Sequence, residues 1–364
     1  MSATPAGVAQ LKDRIRAACV RRAPLQIVGG GTKAFYGEPP RGEPLSLRDL
    51  AGITSYEPSE LVVTVRAGTP LAELESVLAA KGQCLPFEPP RFATGGTVGG
   101  MVAAGLAGPS RAAVGALRDY VLGLTLLDGR GELLTFGGQV MKNVAGYDVS
   151  RLIAGSWGVL GIICEVSLKV LSAPAATATL QFEWGEQRAL EEIARWRARP
   201  LPLQASVWCD GRLRIRLAGS RAAVFEARAR LGGTEVDPQA AFAFWESVRD
   251  HQHEFFLLEA DELGKGTALW RLSVPPTAEA FLLSGRQFVE WGGAQRWWRT
   301  AAPAAELRAK AVGAGGHATL VRAADKSGGA FAPLGGELMR IHRALKSAFD
   351  PERILNPGRL YADL

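Results

Sequence analysis

Two glycine-rich segments contain the residue types best suited to binding an anion through the backbone. Residues 29–33 (GGGTK) follow the apolar run LQIV, and residues 94–100 (TGGTVGG) precede a run of small residues. Glycine has no Cβ, so successive backbone amides can approach a negatively charged ligand closely. A helix beginning near Val98 would add the partial positive charge of its N-terminus. We therefore predict that both turns hold a pyrophosphate, with glycines at 95, 96, 99 and 100 keeping side chains away from it.

The two common glycine-turn motifs of nucleotide-binding proteins do not fit the surrounding sequence. Gly29, Gly31 and Ala34 match the GxGxxA form of the dinucleotide-binding fingerprint. That fingerprint opens a helix, however, and residues 35–40 (FYGEPP) cannot continue as one. The sequence also has no GxxxxGK[ST] segment of a P-loop. Composition alone is a remaining alternative, because 43 glycines among 364 residues exceed average use.

Residues that could bind a metal or act as bases are sparse. The four cysteines include no CxxC pair, so we expect reduced thiols and neither an iron–sulfur cluster nor a metal site. His251 and His253 lie two residues apart on an expected helix, where they would point to different faces and into solvent. His317 and Arg271 are the candidates for a base and a carboxylate anchor, and a structural hydrogen bond or salt bridge is the alternative role of each.

The charge pattern and the hydropathy pattern limit the class of protein. The net charge of +6 comes from 42 basic and 36 acidic residues that form no long basic block. This distribution favours anionic small ligands and argues against nucleic acid as a partner. The N-terminal segment lacks the apolar stretch of a signal peptide, and no later segment has the length of a membrane span. We therefore expect a cytoplasmic globular protein.

The elements expected to position these residues divide into two groups. Between about residues 23 and 171, short apolar strands alternate with glycine-rich turns. Apolar and polar residues alternate over residues 161–171, which predicts a strand, and Asp128-Gly129 predicts a hairpin. A helix is expected over residues 70–82, from Pro70 to Gly82.

After residue 171 the pattern changes, and residues 172–179 (SAPAATAT) are expected to form a linker. Strands, helices and a hairpin then follow in an order that resembles a ferredoxin-like unit, which predicts an α+β arrangement with helices on an antiparallel sheet. Residues 277–285 and 304–313 are among the expected helices. The tryptophans of WGGAQRWW either pack in the core of this part or cover a ligand. A final amphipathic helix has Leu338, Ile341, Leu345 and Phe349 on its apolar face.

Four segments together resemble a known family of flavoproteins. LQIVGGGTK, TGGTVGGMVAAGLAGPSR, GGQVMKNVAGYDVSRLIAGSWGVLGIICEVSLKVL and FDPERILNPGRLY are similar to the FAD-binding domain of the vanillyl-alcohol oxidase/PCMH-type family. More narrowly, MKNVAGYDVSRLIAGSWGVLG, LWRLSVPP and WGGAQRWW resemble the E-subunit family of bacterial glycolate oxidases. The resemblance implies a PCMH-type, two-subdomain FAD-binding domain over residues 1–172 and an α+β cap over residues 173–330. Residues 331–364 would return to the FAD-binding domain.

The resemblance also implies which residues surround the cofactor. The FAD phosphates would contact Gly29, Gly30, Gly31, Thr32, Lys33, Gly95, Gly96, Thr97, Gly99 and Gly100. The flavin and adenine pocket would include Asn143, Gly146, Tyr147, Gly155, Ser156, Gly158, Gly161 and Ile162. Many relatives carry a histidine after the first glycine turn that bonds covalently to the flavin, but this chain has Thr32 there. FAD is therefore expected to be non-covalent.

Two functions follow from the resemblance. In the first, the chain is an FAD-dependent glycolate dehydrogenase subunit that oxidises glycolate, a 2-hydroxy acid, to glyoxylate and passes the electrons to a partner. In the second, it is a non-catalytic flavin-holding subunit for electron transfer or assembly. The second arises because related hydroxy-acid dehydrogenases use a histidine-rich motif where this chain has only His317. The implied partners are an FAD-bearing catalytic D subunit and an iron–sulfur F subunit, which would allow peripheral association with the inner face of the cell membrane.

Overall fold

The first part of the chain folds around a five-stranded antiparallel sheet. The structure, a computed structural model, describes residues 6–138 and 148–364. The helices of this part are α1 (Ala6–Arg21), α2 (Leu71–Ala79), α3 (Val98–Ala104), α4 (Arg111–Val114) and α5 (Val149–Ile153). The strands are β1 (Leu25–Val28), β2 (Glu43–Ser46), β3 (Ile53–Glu57), β4 (Val62–Arg66), β5 (Gln83–Cys84), β6 (Val121–Leu127), β7 (Leu133–Gly137), β8 (Ile162–Lys169) and β9 (Leu171–Ser172). The main sheet has the order β3-β4-β8-β6-β7, while β1 and β2 form a separate parallel pair.

Helices cover both faces of strand β8, and this explains its composition. Ile162 and Cys164 pack with Ile15 of α1, whereas Ile163 and Val166 belong to the core beneath α2 and α3. A central strand between two helical layers is buried on both faces, so its apolar residues do not strictly alternate. The sequence correctly predicts this strand, but it places Cys164 and Val166 on one face, whereas a register shift against β6 puts them in different cores.

The second part contains an eight-stranded antiparallel sheet. Its helices are α6 (Glu186–Arg197), α7 (Arg221–Leu231), α8 (Pro238–Arg249), α9 (Ala260–Gly264) and α10 (Ala304–Gly313), and α11 (Gly336–Phe349) follows. Its strands are β10 (Ala176–Glu183), β11 (Leu203–Cys209), β12 (Arg212–Gly219), β13 (Thr234–Glu235), β14 (Ala268–Ser273), β15 (Arg286–Glu290), β16 (Gln295–Thr300) and β17 (His317–Arg322). The strand order is β13-β10-β12-β11-β15-β16-β14-β17. The predicted α+β class is confirmed, and the boundaries at residues 172 and 330 stay predictions.

The C-terminal segment packs against the first part of the chain. Lys346 of α11 is fully buried, and its Nζ donates to the carbonyls of Val159 (2.8 Å) and Leu355 (2.7 Å) and pairs with Asp350 (2.8 Å). Burial lowers the pKa of Lys346, and the Asp350 carboxylate opposes that shift. Leu355 in turn forms a parallel bridge with Leu25 of β1. The end of the chain therefore supports the strand that precedes the first glycine turn.

Three expectations about individual elements are wrong. Residues 277–285 do not form a helix, because Arg296 donates hydrogen bonds to the carbonyls of Ala278 and Glu279 and holds this segment in a loop. The expected linker 172–179 includes the start of β10, which pairs with β12 from residue 176. On α11, Leu338 and Ile341 are half exposed, and only the later part of the apolar face reaches the core.

None of the helices within the described ranges is long and apolar enough to cross a membrane.

Candidate functional site

The two predicted glycine turns lie on one cleft, which we call the glycine cleft. It contains about 850 Å³ of empty space, part of it open to solvent. The predicted residues that line it are Gly29, Gly30, Gly31, Thr32, Lys33, Thr97, Gly99, Gly100, Gly158 and Gly161. The cleft also has Ala103, Ala104, Trp157, Ile163, Asn356 and Arg359 in its wall. The turns after β1 and before α3 therefore converge, as a pyrophosphate site requires.

Glycine is needed in the first turn for two different reasons. A Cβ on Gly30 would lie 1.8 Å from the carbonyl oxygen of Gly95, so Gly30 allows the two turns to pack against each other. Gly31 has φ +72°, a left-handed conformation that disfavours other residues, and a Cβ there would meet no atom within 4 Å. Gly31 thus leaves open space in the cleft, while Gly30 fixes the distance between the turns.

The second turn begins helix α3. Thr97 is its N-cap, and the Thr97 Oγ1 accepts a hydrogen bond from the Gly100 amide at 3.2 Å. Gly100 lines the glycine cleft, and a Cβ there would contact only this Oγ1, also at 3.2 Å. Gly99 differs from the expectation, since a Cβ there would lie 2.6 Å from the Ala67 Cβ. Gly99 therefore permits close packing of α3 on the end of β4, and its missing side chain is not what leaves room for a ligand.

Lys33 is a buried cation beside the first turn. Its side chain is only 8% exposed, and within the described residues its Nζ makes one hydrogen bond, to Thr32 Oγ1 at 3.4 Å. The Nζ also lies 5.6 Å from the ring centre of Phe92. Burial lowers the pKa of Lys33 to about 8, with Asp250 opposing the shift. A cation that is buried without a carboxylate at hydrogen-bonding distance is well suited to an anionic ligand.

The C-terminal turn completes the wall of the glycine cleft, which the pattern of side chains did not predict. Asn356 accepts from the Ile27 amide and donates to the Trp157 carbonyl, both at 2.7 Å. Arg359 donates to the carbonyl of Lys33 at 3.2 Å and lies 5.0 Å from the Trp157 ring centre. The segment FDPERILNPGRLY was the available signal, but it identified a family and not these contacts.

The remaining predicted pocket residues lie at varied positions. Gly95 and Gly96 pack against the first turn, and a Cβ on Gly96 would be 3.5 Å from Thr32 Oγ1. Gly155 has φ +89°, a left-handed conformation that favours glycine, and a Cβ there would meet no atom closer than 3.8 Å.

Further along this segment, Ser156 is buried, and its hydroxyl has no hydrogen-bond partner in the part of the chain that the structure describes. Ile162 packs in the core with Ile15, while its neighbour Ile163 lines the cleft. Asn143, Gly146 and Tyr147 lie outside the described residues, so their place in the flavin pocket stays a prediction.

A second space, which we call the junction cavity, lies between the two parts of the chain. The space between its wall atoms is about 330 Å³, part of it open to solvent. The first part contributes Tyr36, Pro90, Phe92, Leu106, Ala107, Gly108 and Pro109, and the second contributes Val248, Arg249, His251, Arg271, Glu290, Gln295 and Trp297. Trp291 joins the two sides, because its Nε1 donates to the Gly108 carbonyl at 3.0 Å. The cavity shares a wall with the glycine cleft, since the Tyr36 ring stacks on Trp157 at 5.3 Å.

Several polar groups of the junction cavity are buried without a partner. Among the described residues, no hydrogen bond reaches the Tyr36 hydroxyl, His251 Nδ1, Arg271 Nε or Gln295 Oε1. An unpaired buried polar atom costs about 1–3 kcal/mol, and four in one cavity form an unusual concentration. Arg271 lies 5.6 Å from the Tyr36 ring centre and makes no described ion pair. The cavity thus offers a cation and several hydrogen-bonding groups to a small polar ligand.

His251 lies neither on a helix nor in solvent, so its prediction is wrong. The prediction that His253 lies on a helix is also wrong. Helix α8 ends at Arg249, and His251 has φ +55° and is buried. Its ring stacks on Phe256 at 4.2 Å, and burial lowers the pKa of His251 to about 3. Neutral imidazole therefore forms part of the cavity wall. His253 is half-buried and caps a short 3₁₀ turn by accepting from the Phe255 amide at 3.2 Å.

The two candidate residues of the second part lie near each other on the paired strands β14 and β17, where Arg271 is opposite Thr319. Arg271 lines the junction cavity, whereas His317 is largely exposed at the start of β17, opposite Ser273. Burial and the charge of Arg271 lower the pKa of His317. Of the tryptophans, Trp297 lines the cavity, and Trp298 lies in the core on the other face of β16.

Comparisons with known proteins agree with this geometry. A family profile described as an FAD binding domain matches residues 1–137. The chain is 46% identical to the glycolate oxidase subunit GlcE of Escherichia coli (strain K12) over 354 residues, which are 97% of each protein. It is 32% identical to the glycolate oxidase subunit GlcD of Bacillus subtilis (strain 168) over 161 residues, or 44% of this chain and 34% of that protein. It is also 36% identical to a D-lactate dehydrogenase of Anaerostipes hadrus over 152 residues, or 42% of this chain and 30% of that protein.

The fold itself is similar to solved structures. A structure of alkyldihydroxyacetonephosphate synthase superposes with a TM-score of 0.64, covering 96% of this chain and 74% of that one. The sequence identity is 15%, so this likeness concerns the fold alone. It confirms the predicted PCMH-type arrangement of an FAD-binding domain with an α+β cap.

Proposed function

The chain belongs to the FAD-binding family of glycolate oxidase E subunits, and from this membership we propose that it is the FAD-binding subunit of a complex that oxidises glycolate to glyoxylate. One observation carries the proposal for this chain. The glycine cleft and the junction cavity share the Tyr36–Trp157 wall, so a cofactor held in the cleft would lie beside a small polar cavity. That cavity has the cation that the carboxylate of a small hydroxy acid needs.

The residues of the glycine cleft fit FAD. Gly31 and Gly100 leave open space against which the diphosphate can lie, and Lys33 supplies a buried positive charge. When bound, FAD supplies a hydride acceptor, which no side chain can provide. We further propose that the flavin is not covalently linked, because Thr32 follows the glycines and all four histidines lie after residue 250.

Arg271 is proposed as the group that binds the carboxylate of the hydroxy acid. It lies on β14 in the wall of the junction cavity, and its Nε has no partner among the described residues. Arginine binds a carboxylate in a planar, two-bond geometry that also fixes the orientation of the ligand. A carboxylate bound there would leave its C2 carbon inside the cavity, next to the wall shared with the glycine cleft.

Anaerobic titration of the FAD-loaded chain with glycolate tests this function. We expect glycolate to bleach the flavin absorbance, and Arg271→Gln to require at least tenfold more glycolate for half-maximal bleaching, since a charged hydrogen bond contributes about 1.5–3 kcal/mol. Arg212→Gln is the matched control, because Arg212 is an exposed residue of β12 in the same sheet. Equal behaviour of the two variants would contradict the assignment of Arg271.

A second function is a flavin-holding subunit that transfers electrons or supports assembly. The exposure of His317 favours it, because the histidine that the sequence offers as a base does not line the junction cavity. In that case glycolate would bleach the flavin only in the complete complex and never in the FAD-loaded chain alone. The same titration, repeated with the complex, therefore separates the two functions.

We also propose the setting in which the chain acts. The names of the two similar subunits, GlcE and GlcD, support a multisubunit glycolate oxidase. Its other members would be an FAD-bearing catalytic D subunit and an iron–sulfur F subunit that accepts electrons. The complex would be cytoplasmic, with peripheral association at the inner face of the membrane. Co-purification of tagged chain with both subunits, and their release from membranes by high salt, tests this arrangement.

A further inference from the structure

A buried carboxyl group stands in the wall of the junction cavity. Glu290 is the last residue of β15 and is 3% exposed. Its Oε2 accepts from Trp297 Nε1 at 2.6 Å and from Gln295 Nε2 at 2.9 Å. Its Oε1 accepts no hydrogen bond within the described residues, and Glu290 lines the junction cavity. One oxygen is therefore fixed by two donors, and the other is available to a ligand.

The groups around Glu290 shift its pKa in opposite directions. Burial raises the pKa of Glu290 to about 7, and Glu88 adds to this shift. The two hydrogen bonds and the charge of Arg271 oppose it. The other ionisable groups of the cavity wall are Arg249, which pairs with Asp250 at 2.7 Å, together with His251 and Tyr36. Burial lowers the pKa of His251 and raises that of Tyr36, so both are neutral near pH 7. Glu290 is thus the cavity group whose charge changes near neutral pH.

We propose that Glu290 accepts the hydroxyl proton when a 2-hydroxy carboxylate is oxidised in the junction cavity. This inference rests on the proposed function and adds the base that the sequence does not reveal. In the step, the O–H bond breaks and its proton passes to Glu290, while the C2–H bond also breaks. FAD held by the glycine cleft would supply the hydride acceptor that balances this oxidation. The product is the 2-oxo carboxylate. Arg271 holds the carboxylate on the facing side of the cavity.

Two opposite pH dependences identify a base at this position. Protonated Glu290 can donate a hydrogen bond to a bound carboxylate, whereas ionised Glu290 repels it. The Kd of oxalate, an unreactive dicarboxylate probe, should therefore rise as the pH increases above about 7, toward tenfold per pH unit. The rate of flavin bleaching by saturating glycolate should instead increase over the same range, because only ionised Glu290 can accept the proton.

Glu290→Gln tests the inference on the FAD-loaded chain. The glutamine oxygen can still accept from Trp297 and Gln295, and we expect FAD content and thermal stability to be retained. Oxalate binding, followed by tryptophan fluorescence, should lose its pH dependence, and bleaching should slow by about 100-fold or more. Glu337→Gln, the same change at an exposed residue of α11, should behave as the wild type in both assays.

The possible failures are distinguishable. If Glu290→Gln keeps the wild-type pH dependence of oxalate binding, or bleaches at the wild-type rate, Glu290 is not the base and the proposed function stands. If oxalate does not bind the wild-type chain at any pH, the cavity is not a carboxylate site, and the inference fails together with the proposed function. Should Glu290→Gln lose FAD or unfold, Glu290→Asp replaces it. The displaced carboxyl group should shift the pH midpoint of oxalate binding and slow bleaching, and an unchanged midpoint with a wild-type bleaching rate would overturn the inference.

Discussion

Replacing Gly100 by alanine separates binding in the glycine cleft from the stability of the fold. Gly100 is a helical residue of α3 that lines the cleft, and its added methyl would contact only Thr97 Oγ1, at 3.2 Å. Alanine is more favourable than glycine inside a helix by about 1 kcal/mol. That gain is reduced by the single tight contact, so we expect the unfolding free energy of the apoprotein to stay equal or rise by up to about 1 kcal/mol.

The same methyl should weaken the binding of FAD. Adding one methyl to a well-packed contact typically costs about 1–3 kcal/mol. If the diphosphate lies against the Gly100 Cα, the Kd for FAD should increase by about five- to 150-fold. Titration of the apoprotein with FAD, followed by quenching of flavin fluorescence, gives the Kd. Thermal unfolding of the apoprotein, followed by circular dichroism, gives the stability.

Two other glycine variants make this prediction specific. Gly264 ends helix α9, and a methyl there would meet no atom within 4 Å, so Gly264→Ala should leave the Kd for FAD unchanged. Gly99→Ala should destabilise the apoprotein by several kcal/mol, because its methyl would lie 2.6 Å from the Ala67 Cβ. Wild-type FAD affinity in Gly100→Ala would refute the placement of the diphosphate. A large loss of apoprotein stability would refute the packing argument.

Four further outcomes are expected. Lys33→Met should raise the Kd for FAD by at least tenfold, whereas Lys81→Met, at an exposed position, should not. Because burial lowers the pKa of Lys33 to about 8, the unfolded chain binds the extra proton between pH 8 and about 10.5, so apoprotein stability should rise with pH across this window in wild type relative to Lys33→Met. Asn356→Ala leaves the Ile27 amide and the Trp157 carbonyl without their side-chain partner and should lower the unfolding free energy by about 2–3 kcal/mol, measured by urea denaturation. Acid precipitation should leave colourless protein and release the flavin to the supernatant, and flavin in the pellet would contradict non-covalent binding.

Local sequence was sufficient for the elements that hold the glycine cleft. The strand before Gly29, the hairpin at Asp128 and the short helix after Thr97 each depend on residues that are neighbours in the chain. Glycine turns, capping residues and apolar alternation act over a few residues, so their effect is visible without the fold. The same information could not show that Gly99 faces Ala67 while Gly100 faces the cleft, because that depends on how α3 is rotated against β4.

Interactions between distant residues explain the failures. Residues 277–285 are compatible with a helix, but Pro275 and Pro276 precede them, and Arg296 binds two of their carbonyls. The sequence around His251 favours a helix. The chain instead turns at His251, and the ring is buried against Phe256. In both places a residue of β16 takes part, since Arg296 binds the carbonyls of the first segment and Trp297 packs against the His251 ring.

The junction cavity could not be predicted for the same reason. Its first-part wall ends at Pro109, and its second-part wall begins at Val248, so no spacing pattern within one segment reports it. Glu290 has no unusual local context, and only the approach of Trp297 and Gln295 buries it and fixes one of its oxygens. The glycine cleft and the junction cavity therefore have different origins. The cleft is built by local turns that any nucleotide-binding relative could share, whereas the cavity exists only where the cap meets the FAD-binding domain. Chemistry that distinguishes one member of the family from another is accordingly expected at that junction, where a change in either part alters the cavity without disturbing the turns that hold the cofactor.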